Sequence, residues 1–207
     1  MRVLVLGTRN RKKLGELIDL LGPHGFELKT LADFPQAIEV EESGDSFAAN
    51  AALKATLQAK NLVQWVLGED SGLAVDALDG APGIYSARFS GPGATDQSNN
   101  LLLLQKLAAV PLEKRGAHYV CHATLSDPTG TISADAEGHC RGRILTAESG
   151  SGGFGYDPMF EVLEYHRTFG ELSPAVKAAI SHRSRAIRQL VPQLLALIPD
   201  RFSGGEG

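Results

Sequence analysis

"RVLVLGTRNRKKLGELIDLL", residues 2–21, decides the fold class. Its opening apolar run closes on Gly7, the pattern of a buried strand. After a short polar turn, Leu14, Leu17, Ile18 and Leu21 recur at helical spacing, which predicts a helix over residues 10–21 with one apolar face. Strand, tight turn and helix in that order open an α/β sheet. Further along, "DSFAANAALKATLQAKNL" (45–62) reads as an alanine-rich helix capped by Asp45 or Ser46, and "WVLGED" (65–70) as a short strand. Residues 95–108 form a third helix behind Thr95 or Asp96, and residues 117–140 alternate around the turn signal "DPTG" as a long hairpin. "PMFEVL" is another strand. "SPAVKAAI" and "SHRSRAIRQLVPQLLALI" are closing helices with serine caps, the second bent or interrupted at Pro192. Early alternation around a central hairpin implies α/β with a long mixed sheet flanked by helices.

Bulk properties narrow the class. The 207 residues are 43% hydrophobic, enough for a real core, and the net charge of −4 provides no basic footprint for nucleic acid. No apolar run approaches the roughly 18–20 residues of a membrane span, and "VLVL" is too short for a signal-peptide core. A cytoplasmic protein is expected. Cys121 and Cys140 lie in neighbouring strand-like runs and are expected as free, buried thiols. Residues 1–200 read as a single domain, and 201–207, with "SGGEG", as a disordered tail.

Four stretches carry chemistry. "GTRNRKK" (7–13) joins strand to helix, where backbone N–H groups, Thr8, Asn10 and Lys13 can receive a phosphate. The ordinary alternative is a helix cap with a solvated basic turn in which Arg9, Arg11 and Lys12 merely solubilise. In "GEDSGLAVDALDGAPGIYSARFSG" (68–91), Asp70 sits at a strand end, where α/β proteins place ligands. Glu69 beside it repels it unless a cation is near, and a divalent metal is the usual answer. Glu41 and Glu42 offer a second acidic pair. Asp76 and Asp79 read as turn residues. "SGSGGFGYDPMF" (149–160) lets a backbone approach a ligand, with Phe154 and Tyr156 as flat surfaces and Asp157 fixed before proline. "KAAISHRSR" (177–185) brings the donors Lys177, His182 and Arg183 together. Phosphate donors, metal carboxylates, rings and base-edge donors together describe a nucleoside triphosphate site. No GxSxG nucleophile and no GxGxxG dinucleotide loop is present.

The chain closely resembles the inosine triphosphate pyrophosphatase family. The resemblance rests on "TRNRKK", "EESGDSFAANAALKA", "EDSGLAVDALDGAPGIYSARFSG", "GSGGFGYDPMF" and "ELSPAVKAAISHRSRA", in the family's order and spacing from about residue 3 to about residue 190. It implies two lobes around a central cleft, a homodimer and a need for Mg²⁺. It implies hydrolysis of ITP, dITP and XTP to the monophosphate and pyrophosphate. Asp70 matches the catalytic carboxylate and metal ligand, and Glu41 is expected as the second metal contact with Glu42 as the alternative. Thr8, Arg9, Asn10, Arg11, Lys12, Lys13 and Lys54 would hold the phosphates, and Ser71 would touch the substrate. Phe154, Gly155, Tyr156 and Asp157 would frame base and sugar, and Lys177, His182 and Arg183 would read the base. Arg9 stands where the family commonly has a small residue, and Glu69 where many members have aspartate. The rivals are a pyrimidine pyrophosphatase of the related septum-inhibitor type, a non-catalytic nucleotide sensor and a dinucleotide-binding oxidoreductase.

Overall fold

The computed structural model describes residues 1–200, so the expected tail over 201–207 lies outside the described residues. Seven strands form one sheet in the order β2-β1-β3-β4-β5-β6-β7. These are β1 (Arg2–Leu6), β2 (Phe26–Thr30), β3 (Val66–Val75), β4 (Gly116–Ser126), β5 (Ile132–Ile144), β6 (Phe160–Val162) and β7 (Arg167–Thr168). The helices are α1 (Arg11–Leu21), α2 (Phe47–Leu62), α3 (Asp96–Lys106), α4 (Pro174–Ile180) and α5 (His182–Leu197). β1 pairs in parallel with β2 and β3, while β6 is antiparallel to β5 and β7, so the sheet is mixed as expected.

The chain divides into two compact units. The first holds Met1–Asp70, Cys121–Gly138 and the residues from Arg183 onward; the second holds Ser71–Val120 and His139–His182. In the first unit, β1 is buried on both faces, which explains its unbroken apolar run. Leu4 and Leu6 face a core with Leu17 and Leu21 of α1 and Ala186, Ile187 and Leu190 of α5. Val5 faces Leu31, Ala59 and Leu62. The second unit has its own core, in which Leu73 and Val75 pack with Leu103, Leu107, Tyr119, Phe160 and Phe169.

Local signals explain most boundaries. Asn10 caps α1, accepting from the backbone N–H groups of Lys12 and Lys13. Ser46 caps α2, and Thr95 caps α3. The "DPTG" turn is closed by the Asp127 N–H donating to the Thr131 carbonyl and the Gly130 N–H donating to the Asp127 carbonyl, each at 3.0 Å. Both cysteines are buried, and neither forms a disulfide among the described residues.

Three expectations are corrected. β3 does not stop at Asp70 but runs five residues further, to Val75. "SGLAV" has no strong alternation because Gly72 to Val75 are buried on both faces. Helix α5 is not interrupted at Pro192, the second of the two alternatives, but runs through it. The proline is exposed, so water can satisfy the carbonyl it leaves unpaired, while the opposite face is anchored in the core. Ile18 is 41% exposed rather than part of the buried stripe of α1. Strands β2 and β7 were not read from the sequence: β2 alternates weakly, and β7 has only two residues.

One close approach governs the first unit. A Cβ on Gly68 would stand 2.4 Å from the carbonyl oxygen of Ala51 and 2.6 Å from the nitrogen of Ala55. The alanine stripe of α2 thus rests directly on the β3 backbone. Gly68→Ala is expected to push α2 outward and cost about 1–3 kcal/mol, read as a lower urea midpoint at unchanged m-value. A wild-type midpoint would show that α2 can shift without penalty.

Candidate active site

Successive side chains of a strand point to opposite faces. Glu69 and Asp70 therefore part company, and each finds its own cations. Gly68 and Asp70 face α2; Glu69 faces α1 and α5. The expectation that this pair needs positive charge close by is met by Lys54 beside Asp70 and by Lys13 and Arg183 beside Glu69.

On the α2 face, Lys54 reaches three oxygens. Its Nζ lies 2.9 Å from Asp70 Oδ1, 2.9 Å from Glu42 Oε1 and 3.0 Å from the Glu69 carbonyl. Asn50, one helical turn before Lys54, donates to Asp70 Oδ2 at 3.4 Å and accepts from the Gly44 N–H at 2.8 Å, tying the acidic loop to α2. Burial raises the Asp70 pKa above its ordinary 3.8 despite the pull of Lys54 and Lys13. Burial alone would lower the Lys54 pKa, but the charges of Asp70, Glu42 and Glu69 raise it, so it stays cationic. Glu42, not Glu41, is turned to this cluster; Glu41 is exposed on the same loop.

On the other face, Glu69 is fully buried. Lys13 Nζ lies 3.0 Å from Oε1, and Arg183 Nη2 lies 3.4 Å from Oε2. Arg183 also pairs with Glu16. Burial would raise the Glu69 pKa, but Lys13, Arg183 and Lys54 outweigh it and hold the carboxyl ionised far below the usual range. The Cys121 thiol beside it is pushed well up by burial and by the Glu69 charge, so it is no nucleophile.

The turn after β1 borders a pocket of about 230 Å³ lined by Thr8, Arg9, Asn10, Glu42 and Lys54, among others. Its backbone donors are partly used within the chain. Asn10 Oδ1 takes the N–H groups of Lys12 and Lys13 at 3.0 and 3.2 Å, and Thr8 Oγ1 takes that of Asn10. Arg9 donates to the carbonyls of Ala37 and Ile38. Arg11 and Lys12 are exposed. A ligand in this pocket would therefore meet side chains more than free N–H groups of the helix N-terminus.

The second unit gathers the remaining expected residues around Asp157. Its Oδ2 accepts from Lys177 Nζ at 2.5 Å and from the Phe154 N–H at 2.8 Å. A Cβ on Gly153 would fall 2.0 Å from that oxygen, and φ there is +71°, so only glycine suits the turn. The Lys177 ammonium stands 4.6 Å from the Phe154 ring centroid. The Gly155 N–H donates to Asp96 at 2.9 Å, and Asn100 donates to its carbonyl. Tyr156 turns inward rather than offering a stacking face: it is buried and its hydroxyl donates to the Ser86 carbonyl at 2.8 Å. Burial raises its pKa. His182 is buried against Tyr119, and Ser71 is half-buried in β3.

Lys13, Lys54 and Asp70 thus sit with Glu42 and Asn50 in the first unit, and Phe154, Asp157, Lys177 and His182 gather in the second. Arg183, also expected to read the base, is fully buried in the first unit, where it pairs with Glu16 and Glu69. Sequence reading missed Asn50, although a polar residue on an alanine-rich buried face four positions before Lys54 was a usable signal. It also missed Glu16 and Tyr119, which carry none.

The Ham1 family profile matches residues 4–193. The dITP/XTP pyrophosphatase of Rhodopirellula baltica is 56% identical over 195 residues, covering 94% of each chain. That of Desulforamulus reducens is 47% identical over 186 residues, 90% of this chain and 92% of that one. The solved HAM1 protein of Coxiella burnetii superposes with a TM-score of 0.86 at 35% identity, covering 95% of this chain and all of the other. A nucleoside-triphosphatase / dITP/XTP pyrophosphatase from Mycobacterium abscessus gives 0.75 at 42% identity, covering 93% and 99%.

Removing one partner of the Glu69 network leaves a buried charge unmatched. Glu69→Gln is expected to cost about 3–5 kcal/mol, measured by urea unfolding at pH 7. Because the folded pKa is depressed, the stabilisation is complete above the ordinary 4.5 and is lost as pH falls below it. The variant should therefore lose less stability than wild type on acidification; parallel pH profiles would refute the role.

Proposed function

The chain belongs to the Ham1 family, and on that footing we propose that it hydrolyses the deaminated purine nucleoside triphosphates dITP, XTP and ITP to monophosphate and pyrophosphate. The structural observation that carries the reading is the clasp of Lys54 by Asp70 and Glu42 beside the pocket under the first turn. An ammonium on two converging carboxylates marks a place built for positive charge. Two carboxylates are also what magnesium takes when waters and phosphate oxygens complete its shell. Among the described residues no three His, Cys, Asp or Glu side chains cluster as a closed metal site, which suits a cation shared with substrate. In this reading Asp70 and Glu42 would hold Mg²⁺, and when bound it would supply charge neutralisation and Lewis-acid polarisation to the triphosphate.

The chain's own groups do the rest. Asp70 accepts the proton of the attacking water. Lys13 and Lys54 supply charge to the phosphates and to the departing pyrophosphate. Glu69 holds Lys13 in place, and Arg183 holds Glu69. In the second unit Phe154 and Lys177 meet the base. An ammonium donates to a 6-keto oxygen but clashes with the 6-amino donor of adenine. The protein works as a cytoplasmic homodimer in this reading. The free thiols and the lack of any described helix long and apolar enough to cross a membrane agree with that location.

Pyrophosphate release tests the assignment. Fast release is expected from dITP, XTP and ITP with Mg²⁺, little from GTP or ATP, and none with EDTA; release mainly from dTTP would move the protein to the pyrimidine relatives. Asp70→Asn should abolish turnover and leave nucleotide binding near wild type. A fully active Asp70→Asn enzyme removes Asp70 from the mechanism. Lys177→Ala should narrow the preference for ITP over ATP, and an unchanged ratio counts against Lys177 as a base contact.

A further inference from the structure

Two motifs distant in sequence meet on one tyrosine of the second unit. Tyr119, in β4, is 7% exposed. Its ring stacks on His182 with centroids 4.6 Å apart and planes 9° from parallel. Its hydroxyl donates to Asp157 Oδ1 at 3.2 Å. Phe160 and Phe169 pack around the same ring, with centroids at 4.7 and 6.1 Å, and leave it no room to turn. Asp157 in turn holds Lys177 and the Phe154 N–H through its other oxygen. Phe154, Lys177 and His182 are therefore each held by Tyr119 or by the carboxylate that Tyr119 holds.

The consequence is geometric. A carboxylate torsion is broad, and bonds on one oxygen alone leave its plane loosely set. A donor on Oδ1 fixes that plane, and with it the direction of the Lys177 ammonium. A fixed donor discriminates, because it cannot leave a mismatched amino group for another acceptor on the ring. A donor free to swing can reach a ring nitrogen, and the penalty on adenine fades.

We propose that Tyr119 is a positioning residue for base specificity, which sets the plane of Asp157 and the face of His182 so that the donors of this unit select a 6-keto purine. The proposal rests on the reading that this unit takes the base. Tyr119→Phe keeps the stack and removes only the hydroxyl; Tyr119→Leu removes both. The test is steady-state kinetics of both variants and of His182→Ala with ITP and ATP. For Tyr119→Phe the ratio of kcat/KM for ITP over ATP should shrink roughly tenfold, through a higher KM for ITP with kcat within about twofold of wild type. Tyr119→Leu should shrink it further; if that variant does not fold, Tyr119→Phe alone decides. A merely structural tyrosine would lower kcat equally for both substrates and leave the ratio intact. An intact ratio in the Tyr119 variants with a reduced one in His182→Ala overturns the role of Tyr119 and keeps the base reading. An intact ratio in all three overturns both.

Discussion

The alternation of side chains along β3 is the constraint on which the polar chemistry of the first unit rests. Three consecutive residues, Gly68, Glu69 and Asp70, divide between two faces. Gly68 lets the α2 backbone lie against the strand, and that contact brings Asn50 and Lys54 to Asp70. Glu69 looks the other way and gathers Lys13 and Arg183. A one-residue slip in register would exchange these partners and bury a glycine where a carboxylate is needed.

Two adjacent acids thereby acquire opposite electrostatic characters. Glu69 has no exposure and two cations at hand, so it stays ionised and acts as a fixed negative pin. Asp70 is also buried, but its cations do not overcome desolvation, and its affinity for protons rises. Adjacent in sequence, the two carboxylates are pushed apart in proton affinity by their environments alone. Charges this deep are tolerated because both carry hydrogen-bonded partners; burying either without them would cost several kcal/mol.

The second unit uses the same economy with one carboxylate. Asp157 orders a backbone N–H, an ammonium and a phenol around itself, and glycine at 153 is what lets the chain pass so near. Tyr156 anchors the loop from inside, leaving Phe154 as the ring nearest Lys177.

Much of this was legible in the residues. The strand–turn–helix opening, the caps at Asn10, Ser46 and Thr95, and the "DPTG" hairpin follow from local periodicity and turn chemistry, which act within a few residues. The five matched motifs carried the family, because their order and spacing are properties of the chain itself. Which way a side chain faces and what it meets were not legible. Glu42 rather than Glu41, Arg183 buried on Glu16 and Glu69, Tyr156 turned inward and Tyr119 between two motifs are all decided by contacts across long separations in sequence. Local sequence sets periodicity and turn chemistry. The packing of β3 against α1, α2 and α5 decides which of two neighbouring carboxylates is locked and which is available as a base, because desolvation and counter-charge exist only once the chain has closed around them.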